Sequence, residues 1–234
     1  ITHSSVVSDY NNLKRLKILF GEKCNLNCIM CPQNSFSEET LDFDVLKKNI
    51  DLSPLTSVEL QGGEPLMMES CKKFFDYCSS KGLDVSFLTN GLLLNDLWIE
   101  KIVKNSSFIY ISLNAATKKT HELINKGSNW EVVLENIKKL NKAKEKFNSG
   151  LDIHGHMTLV NENLEEIPLF IKSFKNLGFD SIDFGFDKSI PLFLRKNKVF
   201  SKKLRSEIKE SLNSVDNTTK SNINTHRLKL LKLI

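Results

Sequence analysis

Short runs of alternating apolar and polar residues recur along most of the chain, each followed by a stretch with helical spacing. The first strand is predicted over about Arg15–Phe20. A helix over Asp42–Ile50 follows from the apolar spacing Leu41, Val45, Leu46 and Ile50. Next come a strand Ser57–Gln61, a helix near Cys71–Lys81 with Gly82 as its cap, and a strand Val85–Thr89. A helix near Asn95–Lys104, a strand Phe108–Leu113 and a longer helix Asn129–Phe147 extend the pattern. A strand Asp152–Val160, a helix Leu164–Leu177 ending at Gly178, and a strand Ser181–Phe186 complete it.

Strand alternating with helix about six times means a parallel sheet with crossover helices, an α/β fold. A closed eight-unit barrel takes about 250 residues. Six units ending near residue 187 therefore fit a partial (β/α)6 TIM-like barrel. The expected layout is an N-terminal segment 1–14, a core 15–187 and a basic, helical C-terminal extension 188–234. Val6 and Val7 are expected to dock on the body, and Trp130, Val132, Val133, Ile137 and Leu140 read as core.

Alternation also says which side chains face the barrel interior. Ile109, Ile111 and Leu113 oppose Phe108, Tyr110, Ser112 and Asn114. Ile153, Met157 and Leu159 oppose His154, His156 and Thr158, and Ile182, Phe184 and Phe186 oppose Asp183 and Asp187. Helices must cover the apolar face, so the polar one lines the interior. Histidines and carboxylates are costly there unless the cavity is wet and functional. His154, His156, Asp183 and Asp187 are thus candidates on the substrate side, either histidine able to carry a proton near neutral pH.

Composition is that of an ordinary globular protein, 40% hydrophobic and 26% charged over 234 residues. No apolar run approaches the roughly 20 residues of a membrane helix. The net charge of +5 is uneven: residues 188–234 hold twelve Lys/Arg against three Asp/Glu. Such a face is usually just solvated, but it also suits an acidic peptide, a nucleic acid or a phosphate-bearing substrate. Five cysteines, mostly clustered, argue for metal binding in a reducing cytoplasm rather than for disulfides.

Three of them, Cys24, Cys28 and Cys31, follow the first strand at C-x3-C-x2-C spacing. Cys71 and Cys78 lie seven apart on one helical face, which reads as packing, a hydrogen-atom-donor thiol being the other reading. Structural zinc wants four protein ligands, usually in two close pairs. Three thiolates without a nearby fourth suit an iron–sulfur cube better, with one iron open to another ligand. A zinc knuckle or three incidental thiols remain the alternatives.

This motif resembles that of the radical S-adenosylmethionine (SAM) enzymes, and Gly62-Gly63-Glu64-Pro65 resembles their GGEP turn. The resemblance covers about residues 15–187 and implies a partial barrel with a [4Fe-4S] cluster on Cys24, Cys28 and Cys31. It further implies that SAM chelates the open iron and is reductively cleaved to a 5′-deoxyadenosyl radical. Gly62, Gly63, Glu64 and Pro65 would meet the amino group of SAM. Asn90, in a Thr-Asn-Gly, and Ser112 and Asn114 at the end of the fourth strand would bind the rest. Asn161 is implied at the adenosine. Met30 stands where many relatives carry an aromatic residue against the adenine. The closest resemblance is to the branch with a cysteine-rich SPASM or twitch extension, but no cysteine follows Cys78, so an auxiliary cluster is not expected.

The leading expectation is an enzyme that abstracts a hydrogen atom from a small molecule or peptide, a peptide in natural-product maturation being preferred. It would take electrons from a flavodoxin or ferredoxin; neither a membrane nor a nucleic acid is the expected partner. A dehydrogenase or epimerase acting on a sugar or aminocyclitol is the alternative within the family. A non-catalytic electron-transfer or zinc-binding module is the alternative outside it. A third reading is the isolated core of a larger enzyme.

Overall fold

The protein is described here by a computed structural model covering residues 13–33 and 37–234, so the docking expected of Val6 and Val7 lies outside the described residues. Seven strands pair in chain order in one sheet: β1 (Arg15–Leu19), β2 (Ser57–Gln61), β3 (Asp84–Thr89), β4 (Phe108–Ser112), β5 (Asp152–Leu159), β6 (Ser181–Phe186) and β7 (Ile223–Asn224). Every pairing is parallel, with Leu16 opposite Val58, Tyr110 opposite His154, and His156 opposite Asp183. Because each crossover advances by one strand, the sheet curls into an open barrel instead of doubling back.

The covering helices are α1 (Phe43–Asn49), α2 (Glu69–Ser80), α3 (Asp96–Asn105), α4 (Lys118–Ile124), α5 (Trp130–Lys146) and α6 (Ile167–Ser173). Asp42, Asn95, Thr117 and Asn129 start four of them by accepting the amide hydrogens of Val45, Trp98, Thr120 and Val132, each satisfying a backbone donor of the first turn. The apolar strand faces carry Leu60, Val85, Phe87, Ile109, Ile111, Ile153, Met157, Ile182 and Phe184, all buried against these helices. Phe75 stacks on Phe87 at 5.1 Å, and Trp98 stands edge-on to both. Burying each such side chain contributes about 1.5–3 kcal/mol. Cys71 and Cys78 are buried in this packing.

Residues 188–234 fold back onto the barrel as α7 (Ile190–Lys196), α8 (Lys198–Ser214), α9 (Asn217–Ser221), β7 and α10 (His226–Leu230). Leu204, Ile208, Leu212, Leu228 and Leu233 join the common core. The seventh strand was not foreseen, since two residues carry no alternation to read. The helix expected over 164–177 is a 3-10 turn followed by the short α6, because Pro168 lacks an amide hydrogen and restarts the ladder. The seven-residue α4 is too short for a periodic signal. Val132, expected in the core, is exposed, as is Val45 on α1, which buries no residue completely.

Candidate active site

The segment carrying Cys24, Cys28 and Cys31 leaves the carboxyl end of β1 and is held on two sides by backbone hydrogen bonds. On one side Gly63 and Glu64 donate their amides to the carbonyls of Gly21 and Lys23, each at 2.8 Å. On the other, Asn27 and Ile29 donate to the carbonyls of Lys126 and Ile124, at 2.9 and 3.0 Å, just beyond and at the end of α4. The approach to the Gly62–Pro65 turn excludes side chains there. A Cβ on Gly63 would stand 2.2 Å from the Lys23 carbonyl oxygen. One on Gly62, whose φ of +150° already disfavours other residues, would stand 2.8 Å from that of Gly21. Leu26, buried, anchors the middle of the loop.

The three thiols are all partly exposed, and the Leu26 amide donates to Cys24 Sγ at 3.4 Å. Burial pushes the Cys24 thiol up, and burial with the neighbouring Cys24 and Cys31 charges pushes Cys28 up to about 12. Both shifts favour the neutral thiol, and a bound metal offsets them by stabilising the thiolate. Among the described residues no three His, Cys, Asp or Glu side chains close around a single-ion position. Three thiols with no fourth protein ligand beside them are the donor set of a cluster that leaves one iron open, whereas structural zinc takes four protein ligands.

Around the loop, polar side chains tie the strand ends together. Glu64 is wholly buried: one carboxylate oxygen accepts from the Thr89 hydroxyl at 2.8 Å and the other from the Asn90 amide at 2.8 Å. Burial outweighs these donors and raises its carboxyl to about 7. Asn90 reaches the cysteine loop itself, donating from Nδ2 to Asn25 Oδ1 at 2.8 Å. Asn114, at φ +61° and buried, donates to Asn125 Oδ1 at 2.9 Å and accepts the Thr158 amide at 2.8 Å. Asn163 donates to the carbonyls of Asn114 and Thr158, and His121 bridges the Leu113 carbonyl and Ser128. Ser112 and Met30 are half-buried, Pro65 is buried, and Asn161 is exposed on the turn after β5.

Inside the barrel, β-strand side chains form a second polar group. Asp183 Oδ2 accepts from the Tyr110 hydroxyl at 2.8 Å, and Oδ1 lies 2.5 Å from His156 Nδ1. Oδ1 is also 3.2 Å from His154 Nε2, a close approach too poorly aligned for a hydrogen bond. Burial works to raise the Asp183 carboxyl, yet His154, His156 and Tyr110 outweigh it and hold it well below the usual carboxylate range. Burial and then the Asp183 charge push the Tyr110 phenol up. Lys17, Glu59, Gln61, Leu88, Tyr110 and His156 line a cavity of about 270 Å³, with Lys17 paired to Glu59 at 3.0 Å. Asp187 stands apart, accepting the Ser189 amide before α7.

The sequence profile of the Radical SAM superfamily matches residues 18–174. The chain belongs to that superfamily. Enzymes of that superfamily use a [4Fe-4S] cluster and SAM. It is 29% identical to a probable GTP 3',8-cyclase of Saccharolobus islandicus over 180 residues, 73% of this chain and 56% of that protein. It is 28% identical to an uncharacterised protein of Methanocaldococcus jannaschii over 74% of this chain and 63% of the other. The chain thus spans less than two thirds of either relative. Among solved structures, Streptococcus suis SuiB bound to the precursor peptide SuiA superposes with a TM-score of 0.61 at 15% identity, over 83% of this chain and 46% of SuiB. Native anSMEcpe with bound AdoMet gives 0.57 at 19% identity, over 74% of this chain and 51% of that one. At such identities these two show the fold alone.

Several residues of this radical SAM barrel escaped the sequence. His121, Asn125 and Asn163 lie in the unforeseen α4 or beyond the strands, and no local pattern marks them. Lys17, Glu59 and Gln61 did carry a signal: Lys17 and Glu59 sit between apolar neighbours on a strand, and Gln61 is two residues from Glu59, on the same inward face. No helix among the described residues is long and apolar enough to cross a membrane.

Proposed function

We propose that Cys24, Cys28 and Cys31 hold the cluster and that the chain abstracts a hydrogen atom from a polar substrate in the barrel lumen. When bound, the cluster and SAM supply a 5′-deoxyadenosyl radical, given electrons from a donor such as flavodoxin or ferredoxin. The backbone of the Gly62–Pro65 turn, with Asn90, Ser112, Asn161 and Met30, frames SAM. Glu64 and Asn114, whose polar atoms are already paired within the protein, serve that frame by holding its loops. The observation that carries this reading is the docking of the three-cysteine loop on the glycine turn at the carboxyl end of β1, which leaves three thiols half-open. His154, His156 and Asp183 belong to the substrate side.

For the substrate, a peptide fits better than a nucleotide. The lumen pairs Lys17 with Glu59, and Asp183 stands behind His156, a balance suited to neutral or zwitterionic groups and hostile to a triphosphate. The basic surface of α7 and α8 would attract an acidic peptide. The relatives named as GTP 3',8-cyclases favour GTP as the second reading.

Anaerobic reconstitution with iron and sulfide, then dithionite and SAM, tests the chemistry by mass spectrometry of 5′-deoxyadenosine. Formation that disappears when Cys24, Cys28 and Cys31 are changed to Ala is the expected result. Zinc uptake without SAM binding would sink the proposal. Adding GTP or an acidic peptide and looking for substrate-dependent turnover separates the two substrate readings.

A further inference from the structure

The lumen's two histidines are not equivalent. Ser181 has one hydroxyl hydrogen, and both oxygens of Asp152 lie 2.8 Å from it, so that hydrogen goes to Asp152. His154 Nδ1, 2.6 Å from the same Ser181 oxygen, must then be the donor. With its ring packed against Phe108 and Tyr110 and its side chain only 8% exposed, His154 is closed to a ligand. His156 is the reverse. Asp183 accepts from its Nδ1, which places a hydrogen on Nδ1, so that in the neutral ring Nε2 is the nitrogen with the lone pair. There Nε2 accepts from the Thr158 hydroxyl at 3.1 Å, a bond that a substrate donor would replace, and the ring borders the lumen cavity. Across from it is Gly185, where even a Cβ would stand 3.1 Å from Nε2 and Cε1; the strand keeps a glycine where the ring needs room.

We propose that His156 is the proton acceptor of the lumen, held in its Nδ1–H tautomer by Asp183, with Tyr110 orienting Asp183, and that Nε2 takes a proton from an O–H or N–H of the bound substrate. The substrate O–H or N–H bond breaks, its electron pair stays on the heteroatom, and the hydrogen ion bonds to Nε2. No electron is transferred in this step. The Asp183 carboxylate balances the imidazolium that forms, the role a carboxylate plays behind any histidine base. The ligand class is therefore a hydroxyl or amine set beside the carbon that reacts. Asp183 and Tyr110 are positioning residues, because they act through His156. The inference rests on the reading that the lumen takes the substrate.

The full chain labelled with [15N]histidine gives a direct test by NMR, with diethyl pyrocarbonate as the chemical probe of the imidazole lone pair. The expected result is a His156 ring with a pyrrole-type Nδ1 and a pyridine-type Nε2, acylated at Nε2 while His154 and His121 stay unmodified. Asp183→Asn should move the hydrogen to Nε2 and slow the acylation roughly tenfold, since a carboxamide can donate to Nδ1. Should that variant not fold, Gly185→Ala serves instead: its Cβ should slow acylation while leaving the tautomer unchanged. Tyr110→Phe should retain the Nδ1–H form. A ring protonated at Nε2 in the unsubstituted protein, or a His156 no more reactive than His154, would overturn the proposal. Formation of 5′-deoxyadenosine by the unsubstituted, reconstituted protein tests the underlying reading separately: its absence removes the radical chemistry, whatever the NMR shows.

Discussion

The cysteine loop and the lumen meet at the same barrel but are held by different means. The loop is fastened by main-chain hydrogen bonds to the Gly62–Pro65 turn and to the end of α4, with glycines that admit no side chain. The lumen group is fastened by side chains: Tyr110, His154 and His156 converge on one carboxylate from strands far apart in the chain. A backbone joint is insensitive to charge and fixes position. A side-chain group is sensitive to charge and can move protons. Rigid placement of the thiols and protonic freedom in the lumen are the two things a radical reaction on a polar substrate requires.

If that contrast is right, steric change should damage the loop most and charge change the lumen most. The largest effect expected is from Gly63→Ala, which forces a Cβ against the Lys23 backbone. It should cost about 3 kcal/mol in denaturant unfolding and reduce iron and sulfide bound on reconstitution. Asp183→Asn should follow, at about 2–4 kcal/mol, because a carboxamide keeps one acceptor oxygen where Tyr110 and His156 now have two, and it removes the buried negative charge beside the histidines. If Asp183→Asn left stability untouched, the lumen group would not be a structural unit.

Stability against pH separates the regions further. The Glu64 carboxyl is raised from 4.5 to about 7, so the fold favours its protonated form. The stability this gives is fully present below 4.5 and is lost as pH rises through 7, a change of up to about 3 kcal/mol in the metal-free protein. Asp183 has the opposite sign. Its carboxyl is lowered, so its contribution is present above the ordinary carboxylate value and is lost as pH falls below it. Urea titrations of Glu64→Gln should show a flatter slope between about pH 4.5 and 7, and those of Asp183→Asn a flatter slope in acid only. The smallest effect is expected from Tyr110→Phe, about 1 kcal/mol for one hydrogen bond, with the cysteine loop unaffected by iron content.

How legible each region was follows from the same contrast. The loop was plain in the sequence because thiols at fixed spacing and paired glycines answer to local constraints: ligand geometry and close backbone approach. Even there, the sequence did not show that Glu64 would be consumed by Thr89 and Asn90, or that α4 would hold the loop from its other side. In the lumen, alternation placed His154, His156 and Asp183 on the inner face of their strands but could not distinguish the two histidines. That distinction depends on Ser181, Asp152 and Gly185, residues with no signal of their own.

By itself the sequence determined the repeated strand–helix order, the parallel sheet it implies, the three thiols with their glycine turn, and the polar inner faces. Periodicity and spacing are written along the chain, and each follows from a few neighbouring residues. Only the tertiary structure decided that β7 extends the sheet, that the C-terminal helices share the core, and that His156 faces the cavity while His154 is closed off. Those facts rest on pairings across tens of residues, such as Tyr110 with Asp183, and register between strands exists only once the barrel has formed.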